Sequence, residues 1–406
     1  PTTGPSGKDV SGSKYVDIDY VDRLDGDSFE VFCKLLLGKS ALNSEITEKG
    51  KGDGGIDLVG AGISVIMFAT LVFGLIEGRM YGWWQASTTN IFTIGDFSWP
   101  TDGLSIIPVS LAVSVLFFVI FVLWEKSREK AHKNVLLDLD LFKVASFRNG
   151  SIAATIISMG EFGLLFAIPL WLQNVEGLTP VSSGMVLLWL AGGAFLASGV
   201  GGAMSGKLPA VRAVQIGVLF ELVGVAGIAL VATTGGGWWP VAPFLLLYGV
   251  GVGLATAQLT GVIMVDVPMT KIGQASGSQS TVRQIGSALG IAVLGTVLFT
   301  ATQASAEARL QDTAYVQQLP ETAQDEFIAG LTDAVVDSAG AALPGIGEFA
   351  KANFGASDEA ATEIQTAAND GFTDGVKATG WAAAGFLALG LISTFSMGSK
   401  RRRNKE

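Results

Sequence analysis

Along the chain, charge-poor apolar runs of about twenty residues alternate with short polar stretches. Eight such runs fall at roughly 58–78, 104–124, 150–173, 183–204, 213–233, 240–264, 280–300 and 379–397. A hydrocarbon core ~30 Å thick is crossed by ~20 helical residues, so each run predicts one transmembrane helix. The fold class expected is an all-α membrane protein with eight transmembrane helices. The stretch IGQASGSQSTVRQIGSALGIAVLGTVLF, Ile272 to Phe299, shows the pattern well: a polar, basic opening leads into an apolar, glycine-spaced helix. Thr281, Val282 and Arg283 are expected at the water boundary. Gly286 and Gly290 form a GxxxG pair, and Gly249 and Gly253 form another in an earlier run. Small residues at this spacing let two helices approach closely. They also ease the sliding that alternating access requires.

Composition supports the same class. Over 406 residues, 49% are hydrophobic and 15% charged, against ~25% charged in soluble domains. Net charge is -10, but residues 301–378 hold thirteen acids against three bases and so account for all of it. Cys33 and His132 are the only residues of their kinds. An internal disulfide, a Cys/His zinc cluster and a Cys/His catalytic pair are therefore excluded; no cofactor and no metal site is expected.

Orientation follows from where lysine and arginine collect, because short basic loops stay cytoplasmic. The 125–149 loop carries six bases, Lys207 with Arg212 and Lys271 with Arg283 follow on the same face, and the tail ends in Arg401, Arg402 and Arg403. Both termini are then cytoplasmic, in a bacterial-type inner or plasma membrane. Residues 301–378 are expected outside, as a partly helical, solvated cap or as a disordered loop. Trp83, Trp84, Trp99, Trp171, Trp238, Trp239 and Trp381 fall near the predicted outer ends and Trp124 at an inner one, the pattern of an interfacial belt. Trp189 lies inside a run and is the exception.

Ionisable residues within spans are costly and mark function by default. Glu161, in TIISMGEFGLLFAIPLWLQ, and Glu221, in GVLFELVGVAGIAL, are the two that qualify. Burial favours a neutral carboxyl, and a group that loads and releases a proton is what a proton-coupled carrier needs. The alternative is a protonated acid bonded to a neighbouring helix. Both are candidates for the substrate or proton pathway, Glu161 the first and Glu221, on a run expected to pack at the bundle edge, the second. Gln258 and Trp189 complete the candidate substrate or proton pathway; Gln258 equally suits polar contact between helices.

Several ordered motifs, LLDLDLFKVASFRNG, IPLWLQNVEGLTPVSSGMVLL, LYGVGVGLATAQLTGVIMVDVP and GQASGSQSTVRQIGSALGIAVLG, resemble the fourteen-helix drug:proton antiporters of the major facilitator superfamily, the EmrB/QacA type. The resemblance runs from about Asp57 to Lys400 and covers the last eight of that family's fourteen helices. It implies two extra central helices at 58–124, then a carboxy-terminal six-helix bundle at 150–400 that includes the acidic loop. Gly206, Leu208 and Arg212 resemble the family's basic inner-loop motif, although KLPAVRA lacks the expected acid. The implied function is transport of small amphipathic or cationic substrates against protons across the lipid bilayer. An amino-terminal bundle, absent from this sequence, is the implied partner.

Residues 1–57 form a polar cytoplasmic arm, read as a fusion or truncation junction. Within it, DGDSFEVFCKLLL and EKGKGDGGIDLV resemble the opening of an Mrr-type restriction endonuclease, with Asp57 at the metal-binding aspartate. The next lysine is Lys126, beyond two spans, so the acid-x-lysine half of such a site is missing. No enzyme and no nucleic-acid partner is expected. A non-transporting membrane scaffold and, behind it, a membrane-anchored Mrr-like nuclease are the other readings.

Overall fold

The computed structural model describes residues 57–398, apart from 88–89, 95–96, 132–134, 138 and 204–207. The arm and its nuclease-like motifs therefore lie outside the described residues except for Asp57, which is buried immediately before the first helix. Besides two single-turn helices, Gly78–Tyr81 and Ala314–Gln317, the helices are α1 (Leu58–Ile76), α2 (Ile106–Lys130), α3 (Ala145–Asn174), α4 (Pro180–Ala203), α5 (Ala210–Val231), α6 (Ala242–Met264) and α7 (Ile272–Gln311). They continue as α8 (Glu321–Asp337), α9 (Ile346–Phe354) and α10 (Asp358–Gly398). Seven of them, α2 to α7 and α10, are long and apolar enough to cross a membrane. The eighth, α1, is apolar over 19 residues, a length of ~28 Å. Among the described residues the sheet content is one hairpin, Thr93–Ile94 with Phe97–Ser98. The chain is an all-α integral membrane protein.

The helices pair through small residues and hydroxyls. Ser110 and Ser114 of α2 donate to the Thr70 and Met67 carbonyls of α1 at 2.7 and 2.9 Å. In the six-helix bundle, α6 packs against α4 and α5, while α10 packs against α3, α5 and α7, and α3 also packs on α7. Glycines set the spacing at these seams. A Cβ on Gly286 would lie 3.0 Å from the Thr155 Cα, and one on Gly290 would lie 2.7 Å from the Met159 Cα, so α3 and α7 touch backbone to backbone. Gly249 meets the Leu190 main chain and Gly253 the Ala194 main chain, which brings α6 equally close to α4.

Two helices outrun their apolar segments. α7 is 40 residues long and α10 is 41, ~60 Å each and about twice the hydrocarbon thickness. Their extensions, with α8 and α9, make the 301–378 segment a helical cap with a buried core rather than a disordered loop. Phe327, Leu331, Leu343, Ile346, Ile364 and Phe372 are at most 1% exposed and form its core. The sequence carries this in Phe327, Ile328, Leu331 and Val335, which recur at helical spacing on α8. Acids Asp358 and Glu359 in the first turn of α10 suit its positive end. Arg309 of α7 reaches Asp374 of α10 at 2.7 Å and Asp370 at 3.3 Å, and the Gln365 amide both donates to the Leu343 carbonyl and accepts from the Gly347 N–H.

One tryptophan departs from the interfacial belt. Trp171 is 1% exposed, and its Nε1–H donates to Thr373 Oγ1 at 3.1 Å, with Thr373 in turn 3.0 Å from Thr234. Its position one turn from the end of α3 suggests a headgroup depth; the overhang of α10 covers it instead. Trp84, Trp239 and Trp381 are at least half exposed.

Candidate functional site

The charged residues buried within the bundle converge from different helices. Glu161 on α3 is 4% exposed. Its own helix is held at that level by Gly160, against Leu387 of α10, and by Gly163, against Leu294 of α7. Arg283 on α7 reaches Glu161 Oε2 with a guanidinium nitrogen at 3.7 Å, an ion pair slightly too long for a hydrogen bond. The Tyr248 hydroxyl of α6 donates to the Glu161 main-chain carbonyl at 2.9 Å and is itself fully buried. Glu221 on α5 is 0% exposed and neither of its carboxyl oxygens has a hydrogen-bond partner. Tyr248 links it to Glu161: the Tyr248 main chain packs on Gly224, one turn after Glu221, and its hydroxyl reaches the Glu161 carbonyl.

Glu221 occupies this position because α5 and α6 meet along glycines. Gly217 and Gly224, one turn before and one turn after it, press on the main chains of Ala255 and Tyr248. Opposite, a Cβ on Gly251 would lie 2.7 Å from the Glu221 Cγ, so only a glycine there leaves the glutamate its space. The expectation that Glu221 sits at the bundle edge is thus corrected. It lies in the interior beside Glu161.

Arg283 is the site residue whose pairing sequence reasoning missed. The charge pattern put it at the water boundary, three residues ahead of Gly286. Because α7 begins eleven residues earlier, at Ile272, Arg283 is inside a continuous helix and its side chain is only 28% exposed. The available signal was the absence of any proline between Ile272 and Gln311, which allows one uninterrupted helix through the boundary. Gln279, one turn before it, is 4% exposed and donates to Thr260 at 3.1 Å.

The other expected pathway residues are placed elsewhere. Gln258 donates from Nε2 to the Gly201 carbonyl at 3.2 Å, joining α6 to α4. Trp189 is 40% exposed on α4, on a helix whose Met185, Leu188 and Leu196 are also exposed. Of the basic inner-loop motif, Gly206 lies outside the described residues, Leu208 packs against Ala197, Ala213 and Leu254, and Arg212 is exposed.

A membrane bundle that buries two carboxyls and sets a guanidinium beside one of them keeps ionisable groups where burial is costly, the mark of a functional site. The chain belongs to the Major Facilitator Superfamily, whose sequence pattern matches residues 58–291. It is 29% identical over 281 residues to the tetracycline resistance determinant of Streptomyces rimosus, an alignment covering 68% of this chain and 72% of that protein. It is 28% identical to the multidrug resistance protein Stp of Mycobacterium tuberculosis, over 70% of this chain and 47% of the relative. With the multidrug efflux pump LfrA of Mycolicibacterium smegmatis it shares 29% identity over 74% of this chain and 54% of the pump. The chain thus spans about half the length of these last two proteins.

Proposed function

We propose that this chain is the carboxy-terminal part of a proton-coupled efflux transporter of the EmrB/QacA type, corresponding to the last eight of fourteen helices. In that arrangement α1 and α2 are the two central helices, and the six-helix bundle faces an amino-terminal bundle across the substrate path. The basic loops lie in the cytoplasm with both termini, and the cap lies outside. Substrates are small amphipathic or cationic molecules, and the energy comes from protons. The observation that carries this reading is the Glu161–Arg283 pair. An ion pair inside a bilayer-spanning bundle is expensive to bury, and its guanidinium keeps a partly exposed side chain through which water or substrate gains access.

Efflux of a lipophilic cation is the test, in cells expressing the chain joined to the amino-terminal bundle of a relative. Proton-dependent efflux above the empty-vector level is expected, with Glu161→Gln lowering it while leaving the protein inserted. Efflux equal to the vector would return the scaffold reading. Efflux unchanged by Glu161→Gln would remove that residue from the pathway.

A further inference from the structure

Two buried carboxyls share a single cation. The groups facing Glu221 come from three helices: Glu161 from α3, Tyr248 from α6 and Arg283 from α7. The fourth neighbour, α10, meets α5 two turns further along, where uncharged Gly380 lies against Ala229. The nearest charges on α10 are Lys377 and Asp374, 3.8 Å from one another and grouped with Arg309 at the cap. The Tyr248 hydroxyl is already committed to a main-chain carbonyl. Among the described residues, Arg283 is therefore the one positive charge available to both acids. A buried carboxylate without a counter-ion is strongly disfavoured, so the interior tolerates one carboxylate beside the guanidinium and requires the other acid to be neutral.

We propose that Glu221 is the proton-binding site of the bundle and that Arg283 is a counter-ion shared between Glu221 and Glu161. The trio holds one positive charge, one carboxylate and one carboxylic acid, and the proton resides on whichever acid the guanidinium does not face. In the structure the guanidinium faces Glu161, so the proton is on Glu221, whose two oxygens lack partners. The charge count stands on this geometry. Its use in transport rests on the reading above: a monovalent cation arriving beside Glu161 supplies a second positive charge, and Glu221 then loses its proton to water. One proton leaves per cation bound, with no other bond made or broken.

Infrared spectroscopy of the purified full chain in lipid vesicles detects the C=O stretch of a buried carboxylic acid directly. The wild type should show one such band at neutral pH. Glu221→Gln should abolish it, and Glu161→Gln should abolish it too, because Arg283 then pairs with Glu221 and discharges its proton. Arg283→Met should double the signal, and Arg283→Lys, which keeps the charge and resembles the original packing, should preserve it. A band of wild-type intensity in Glu161→Gln would overturn the sharing, leaving Glu221 a fixed neutral acid. No band in the wild type would overturn the assignment altogether. Adding tetraphenylphosphonium to the same chain joined to the amino-terminal bundle should discharge the band. If the band persists while the variant pattern holds, the coupling to transport fails and the shared counter-ion stands.

Discussion

Gly192 and Gly193 are neighbours on α4, at the same depth, yet they face different surroundings. A Cβ on Gly192 would meet nothing within 4 Å, whereas one on Gly193 would run into the Leu246 carbonyl oxygen, with the Val250 nitrogen at 2.9 Å and the Gly249 carbonyl carbon at 3.2 Å. Every atom it meets is main chain, so no side chain can rotate away and α4 must separate from α6. Overpacking of this kind costs about 1–3 kcal/mol. Replacing a helical glycine by alanine recovers up to about 1 kcal/mol of backbone entropy, and this gain applies at both positions. Gly192→Ala is therefore expected to be neutral or mildly stabilising, and Gly193→Ala to be destabilising by up to about 2 kcal/mol. Unfolding of the purified chain in one detergent, by heat or by denaturant, measures the two variants side by side. Equal midpoints would refute the backbone contact between α4 and α6, because both substitutions would then be meeting the same lipid.

Trp171→Phe should cost about 0.5–1.5 kcal/mol in the same assay; it deletes the donor to Thr373 but leaves Thr373 its contacts with Thr234 and Asn369. Phe327→Ala opens the cap core and should cost about 3–5 kcal/mol of local stability, seen as faster amide exchange in α8 and α9 with α4 to α6 unchanged. At the cap surface, Lys351 is pushed up to about 12 by its hydrogen bonds to Asp358 and Glu348. A raised amine stabilises the fold below its unfolded value of ~10.4 and loses that contribution as pH rises through the folded value. Near-ultraviolet circular dichroism should thus show the cap unchanged by pH around neutrality, where the contribution is complete, with loosening only in strong alkali, and Lys351→Met should remove that alkaline step.

The membrane helices were legible in the sequence because spanning a bilayer demands length and apolarity together, two properties read without knowing any neighbour. Glu161 and Glu221 were legible for the converse reason, as charges where charge is costly. What local pattern could not give is depth. Trp171 was assigned to the interface from its distance to the end of an apolar run, and α10 continues past that end and covers it, while Arg283, on the polar opening of α7, turns its side chain to Glu161. The extent of α7 and α10 depends on packing in the cap, where alanine, threonine and acids alternate with a few large apolar residues. Hydropathy averages such a segment to a loop. The burial of Glu221 depended likewise on which face of α5 met α6, and Gly217, Gly224 and Gly251 reveal that face only once their partners are known.

The same glycine seams bear on how the enclosed charges can move. Gly286 and Gly290 fix α7 to the Thr155 and Met159 main chain just beyond Arg283 and just before Glu161. Gly217, Gly224 and Gly251 fix α5 to α6 on either side of Glu221. The backbones carrying the three charged groups are therefore close-packed against their neighbours, and displacing one helix would break several main-chain contacts at once. The long arginine side chain has no such restraint, and rotamer changes are far cheaper than separating packed helices. Exchange of the guanidinium between the two acids accordingly falls to Arg283 itself, turning within a frame that stays fixed, and the 28% exposure of its side chain supplies the room and the water for that turn.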